Sequence, residues 1–523
     1  MPAMASGEPS PDKCLKAWYS MLKTPPSSCP TPDLQRFEQL LASGGDERIA
    51  IDPGTGRNRY GLPRGKACDE AWFSSSTASA ISPRGYDAAL QAYRSIIATG
   101  DARSISAWFD SLRARLTRLF GSKGSDIVFA ASGTELELVA LGLARRILRP
   151  PMVNLVVAPG ETGRGVLLAA SGRHFLGSAP FRARVECGAL LEGFETPETL
   201  TATVDIRDQA GMPLAADSVD SRVIREVEAS IAGGRCVLIH LLDCSKTNRS
   251  GPRRSTASEL MARYAGQVLV VVDSCQLRCS PEQIKADLRA GFMVMISGSK
   301  FAAGPPFAGA LLLPPGLVSR LTDLDLPPGL SAYTAAEDWP VALRKRARRQ
   351  FAAACNVGAG LRWEAALAEL EKLFALPIEF RDAVGRAFAD AVEAHVLDNP
   401  ALVLVDPTSA GGLRPLRTIL SVVTVAPEKM PLASEAIYRG LMQARPDDPL
   451  PGPSKRIFHV GQPVAIGPRS ALRVCLSASH IVDAAESLAK DGAFESGVAP
   501  LLADIEALFL KWARVAEDLC RCP

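Results

Sequence analysis

An α/β fold, with a mostly parallel sheet covered by helices and a smaller α+β C-terminal domain, is predicted by three observations. From about residue 125, short apolar runs alternate with helical stretches; most of these runs lack the polar alternation of a half-wet strand; and after about residue 330 the texture turns helical before short strands return. Continuous apolar runs are the signature of strands covered on both faces, as in parallel sheets. The predicted strands are Ile127 to Ala130, Val153 to Val157, Cys236 to Leu242, Val268 to Asp273, Phe292 to Ile296 and Ala308 to Leu313. Between two of them, Thr256-Ala-Ser-Glu259 fits a capping box and is predicted to start a crossover helix. In the C-terminal part, Val384, Phe388 and Val392 recur at helical spacing with a structural His395 beside them, and Ile419 to Val425 and Leu472 to Leu476 are predicted strands.

A chain of 523 residues is too long for one core. The predicted division is an N-terminal arm or cap over 1–80, a large domain over 81–330, and linking helices with a small domain over 331–523. The arm holds one predicted helix, around Leu34 to Leu41, and two loops rich in turn formers, DPGTGRNRYGLPR at 52–64 and FSSSTASAIS at 73–82. Such loops either link surface elements or fold over an active site.

Lys and Arg number 59 against 56 Asp and Glu, a net charge of +3 that gives no electrostatic case for nucleic acid or an anionic membrane as partner. The opening residues lack a continuous apolar core and no long apolar run free of charge appears, so neither secretion nor membrane spanning is expected. The 12 cysteines contain no CxxC pair, which points to reduced thiols, no metal site and a cytoplasmic location.

Three clusters carry candidate chemistry. Ser132-Gly133-Thr134-Glu135 joins a predicted strand to an apolar helix, where free amides and the helix dipole suit a phosphate. Asp273 ends an apolar strand in VVVDSCQ, a place where a carboxylate needs a cation or strong donor; a protonated pyridine nitrogen is such a partner, and Gln276 stands close enough in sequence to meet a ring hydroxyl. Lys300 closes Ser297-Gly298-Ser299-Lys300 within a wall of small and apolar residues, where a neutral amine can attack an aldehyde.

These clusters, in this order and followed by GPPFAGALLLP, resemble the fold-type-I pyridoxal-phosphate-dependent enzymes, particularly the class V aminotransferase and cysteine desulfurase-like branch. The resemblance implies pyridoxal 5′-phosphate as cofactor, with Lys300 as its aldimine lysine and Asp273 on the pyridine nitrogen. It also implies Gln276 at the phenolic oxygen, and Ser132, Gly133 and Thr134 at the phosphate with Ser297 or Ser299 assisting. Within DCSKTNRSGP it points to Thr247 and Asn248 at the cofactor or substrate, and in ALRVCLSAS to Arg473 as the clamp for a substrate α-carboxylate. Related enzymes are homodimers, so Asn58, Tyr60 and Ser75 in the arm become candidates for substrate binding in a neighbouring subunit's site.

Two departures stand out. Where class V enzymes put a histidine over the ring this chain has Gly160-Glu161-Thr162-Gly163, leaving Glu161 or Thr162 to cover that face, and Ser299 replaces the histidine that precedes the lysine in desulfurases. Desulfuration also needs a thiol ahead of the carboxylate-binding arginine, and no cysteine lies between Asn356 and Val474. The expected activity is therefore aminotransfer on a small amino acid, with a 2-keto acid as second substrate. The alternatives are a lyase or decarboxylase using the same core, and a catalytically silent protein of the same fold acting through protein contacts.

Overall fold

The computed structural model describes residues 32–66, 70–182, 184–195, 199–406, 417–426, 431–444 and 455–521. Residues 1–31 of the predicted arm lie outside the described residues. One sheet has seven strands: β2 (Asp126–Ala130), β3 (Met152–Val157), β4 (Thr199–Val204), β5 (Cys236–Leu242), β6 (Val268–Ser274), β7 (Met293–Ser297) and β8 (Gly309–Leu313). Their order is β2-β8-β7-β6-β5-β3-β4, with β8 antiparallel to both neighbours and the other pairs parallel.

The sheet is apolar on both faces because successive side chains of each strand leave in opposite directions into two cores. Along β6, Val270 and Val272 enter one core while Leu269 and Val271 enter the other; Val294 and Ile296 of β7 divide from Met293 and Met295 in the same way. That division is why these strands read as unbroken apolar runs. Strand β4, which the sequence does not announce, is the sheet edge, with Leu200 exposed and only Val204 buried, so it carries the threonines of a half-wet strand.

The second sheet, β1-β11-β12-β10-β9, is built from β1 (Glu70–Phe73), β9 (Leu402–Leu404), β10 (Ile419–Thr424), β11 (Ile457–Ile466) and β12 (Arg469–Cys475). Strand β1 comes from the predicted arm and pairs in parallel with β11, Phe73 opposite Val460. This tie carries the following 74–82 segment toward the end of the first sheet. His395 lies on the helix Ile378–Leu397 and stacks on Phe509 with ring centroids 5.3 Å apart.

The crossover helix after β5 runs Arg254–Arg263 and has no side-chain cap, so Thr256 does not start it. Carboxylates from elsewhere secure its first turn: Arg253 N donates to Asp220 Oδ1 at 2.9 Å, and Arg254 pairs with Asp287 and Asp243. Tertiary charges replace the local cap. No helix among the described residues is long and apolar enough to cross a membrane.

Candidate active site

The parallel strands of the first sheet release their chains at one end, which is where open α/β sheets form crevices. There the turns after β2, β3, β5, β6 and β7 meet Arg473 of β12, Tyr60 and the 76–78 turn around a cavity of about 320 Å³.

Strand β2 ends at Ala130 and the helix Gly133–Leu148 begins three residues later, capped by Ser132, whose Oγ accepts from Thr134 N at 3.3 Å. Ser132, Gly133 and Thr134 all line the cavity, so the positive end of a four-turn helix faces it. Glycine is required at 133 by close approach: a Cβ there would stand 2.8 Å from Cys275 Sγ. Next to this turn, Arg48 is held by Asp46 Oδ2 at 2.6 Å, reaches Ser132 Oγ at 3.4 Å, and lies over the rings of Phe307 and Phe175. Burial, and then the charge of Asp46, raise the Glu135 carboxyl, against the pull of Arg48. Arg48 was not legible in the sequence, since an isolated arginine in a turn-rich arm has no motif to mark it.

Strand β6 delivers Asp273, half-buried, with Oδ1 accepting from Cys275 N at 3.0 Å. The strand ends at Ser274, and Cys275, two residues after Asp273, also lines the wall, against Gly133. Gln276 Nε2 donates to Ser76 O at 3.0 Å and its Oε1 is buried with no partner. Glu137, one turn into the helix Gly133–Leu148, lines the cavity and has its Oε2 2.9 Å from His240 Nδ1 of β5.

Strand β7 leads into Ser297-Gly298-Ser299-Lys300. The two serine hydroxyls share a hydrogen bond of 2.7 Å, and a Cβ on Gly298 would come within 2.6 Å of Ala366 Cβ, so this loop sits tightly on the helix Val357–Ala375. Lys300 is half-buried on the cavity wall and makes no ion pair among the described residues. From β12, Arg473 is fully buried; Nη2 donates to Thr77 Oγ1 at 3.1 Å and to Gln462 O, while Nε and Nη1 have no partner. Burial lowers its guanidinium to about 10.

The structure thus brings Lys300, Asp273, Gln276, Ser132, Gly133, Thr134, Glu161, Thr162, Ser297, Ser299, Tyr60 and Arg473 to one cavity. Thr247 and Asn248 do not line it. Thr247 Oγ1 is bound to Glu161 Oε2 and accepts from Arg207 Nη2 at 2.9 Å, while Asn248 has φ 66° and turns the chain. Their neighbour Lys246 occupies the wall instead. Glu161, although on the wall, has both carboxylate oxygens taken, by Arg207 Nε at 2.5 Å, Ser245 Oγ at 2.5 Å and Thr247. Thr162, the other residue expected over the ring, lines the wall with its hydroxyl donating to Pro159 O at 3.0 Å. Asn58 and Ser75 are also away from the wall: Asn58 Oδ1 accepts from Tyr60 N and Leu62 N, and Ser75 Oγ donates to Leu476 O and accepts from Arg278. Tyr60 and the turn 76–78 reach the cavity of their own chain.

The donor set fits pyridoxal 5′-phosphate. An uncommitted amine at 300, a carboxylate at 273 with access to the cavity, and a Gly-Thr helix start supply an aldehyde partner, a partner for a protonated ring nitrogen and an anion site. The unpartnered Nε and Nη1 of Arg473 supply a further site for a carboxylate.

Neither a protein-family model nor a curated protein sequence matches the chain. Solved structures do match. The cysteine desulfurase CsdA from Escherichia coli aligns with a TM-score of 0.52 and 14% identity over 86% of this chain and 95% of that one. The ureidoglycine-glyoxylate aminotransferase from Bacillus subtilis aligns with a TM-score of 0.52 and 13% identity, covering 86% and 98%. A NifS-like protein aligns with a TM-score of 0.51 and 13% identity, covering 84% and 98%. The chain therefore shares the fold of these solved structures, that of the fold-type-I pyridoxal-phosphate enzymes.

Proposed function

We propose that the protein is a pyridoxal-phosphate-dependent aminotransferase acting on an amino acid, with a 2-keto acid as acceptor and a cytoplasmic homodimer as its working form. The observation that carries this is the convergence of Lys300, Asp273 and Arg473 on the cavity that the 133–134 helix start also faces. When bound, the cofactor supplies an electron sink for charge developing at the substrate Cα. The chain supplies the rest. The amides of Gly133 and Thr134, with nearby hydroxyls, bind the phosphate; Asp273 holds a proton on the pyridine nitrogen; Arg473 fixes the α-carboxylate and so decides which bond at Cα stands ready to break. The Lys300 amine takes the proton from Cα and returns it one position away, a transfer that needs no further nucleophile.

Sulfur transfer is disfavoured by the two cysteines on the wall. Burial raises the Cys275 thiol well above its ordinary value, and Cys244 is buried with its thiol directed at Ser245 O and Asn248 Oδ1. Neither is an ionised thiol on a free loop.

The test is a panel of amino acids in single turnover with cofactor-loaded protein. Conversion of the cofactor to its amine form with release of a keto acid is the expected result. Release of ammonia, carbon dioxide or a carbon fragment with the cofactor unchanged overturns aminotransfer in favour of a lyase or decarboxylase.

A further inference from the structure

The cavity holds more positive charge than a monocarboxylic amino acid would use. Its carboxylates are committed within the chain: Glu161 to Arg207, Ser245 and Thr247, Glu137 against His240, and Asp273 to the Cys275 amide and, in the proposed function, the ring nitrogen. Among the cations, Arg48 is held by Asp46, while Lys300 and Arg473 have their parts in the proposed chemistry. Lys246 on the wall and the exposed Arg164 and Arg59 remain, and none of the three makes an ion pair among the described residues.

Lys246 is well placed to receive an anion. It follows β5 in a turn whose backbone is fixed by its own amide, which donates to Glu161 O at 3.1 Å. Burial first, then the charges of Arg473, Lys300 and Arg164, lower its amine to about 7, while Glu161 opposes them. An ammonium that shares one cavity with Arg473, Lys300 and Arg164 gains from an incoming negative group.

We infer that the substrate is a dicarboxylic amino acid whose side-chain carboxylate is received by Lys246, with Arg164 at the mouth, while Arg473 takes the α-carboxylate. This deepens the proposed function and rests on it. A side-chain carboxylate would favour the ammonium form of Lys246 and give it a counter-charge separate from the phosphate at Gly133 and Thr134.

The experiment is a calorimetric titration of cofactor-loaded protein with glutarate, succinate and butyrate, which bind without reacting. The expected result is a dicarboxylate preference over butyrate of about tenfold or more, falling to about twofold or less in Lys246→Gln and largely kept in Lys246→Arg. Butyrate affinity stays unchanged in both variants, which also shows that the site is intact. Equal affinities in the unsubstituted protein, or a preference that survives Lys246→Gln, overturn the inference while leaving the proposed function standing. Arg473→Gln is expected to weaken all three ligands; if butyrate binds as before, the carboxylate site of the proposed function falls, and this inference falls with it.

Discussion

The hydroxyl of Ser79 donates to the backbone carbonyl of Lys300 at 2.7 Å, and the Ser79 amide donates to Ser299 O at 3.1 Å. The segment that follows β1 is thereby fastened to the loop bearing the proposed reactive amine. With Gln276 Nε2 on Ser76 O and Arg473 on Thr77 Oγ1, this one short turn touches three of the candidate site's elements. It acts as a brace for the site.

Ser79→Ala removes the side-chain bond and leaves the Lys300 carbonyl with its bond from Ala303 N. A loss of about 1 kcal/mol in stability follows from one buried hydrogen bond. Denaturant unfolding reads that loss, and a parallel cofactor titration is expected to show weaker loading, since the lysine loop is less firmly held.

Asp273→Asn retains the shape and removes the charge that would keep the pyridine nitrogen protonated. Loss of such an electrostatic contact in the transition state is expected to lower kcat by roughly 10²–10³-fold with KM little changed. Steady-state kinetics on the best substrate of the panel measures it. An undiminished kcat removes Asp273 from the machinery.

Gly133→Ala forces a Cβ to within 2.8 Å of Cys275 Sγ unless one of them moves. Overpacking of this kind costs about 1–3 kcal/mol, and here the strain falls on the helix start that faces the cavity. Cys275→Ala makes room for the added methyl, so the double variant is expected to recover stability and cofactor affinity relative to Gly133→Ala alone. Thermal unfolding and cofactor titration of the three variants form the cycle.

Behind the wall, Arg207 joins Glu161 and Asp406, and Arg249 reaches the same Asp406 oxygen at 3.1 Å. Burial pushes the Asp406 carboxyl up, yet its hydrogen bonds and charge contacts with Arg207 and Arg249 overcome this and hold it below its ordinary value. A carboxyl with a depressed folded-state pKa contributes stability that is present above the unfolded value of about 4 and lost as pH falls through the folded one. Arg207→Ala leaves two buried carboxylates short of a partner, and a loss of about 3–5 kcal/mol is expected at neutral pH, shrinking toward acid as Asp406 protonates. Unfolding curves at neutral and acid pH check both parts.

The first sheet was legible because β5 through β8 send apolar side chains into two cores, and only that burial produces unbroken apolar runs. The positions of Asp273 and Lys300 followed, since both stand where such a run stops. What escaped was whatever tertiary structure assembles from distant sequence. Strand β1 has four residues and owes its place to pairing with β11, and Arg48 owes its place to Asp46 and two phenylalanine rings. In the 245–248 turn the resemblance pointed to Thr247 and Asn248, whereas the ion cluster around Glu161 draws Thr247 inward and leaves Lys246 on the cavity.

The central claim is that Lys300 is the amine that carries the cofactor. Borohydride reduction of protein equilibrated with pyridoxal 5′-phosphate, followed by peptide mass mapping, tests it most directly. The label is predicted on the peptide containing Lys300 and is absent from a Lys300→Ala variant. A label on Lys246, or no site-specific label at saturating cofactor, contradicts it.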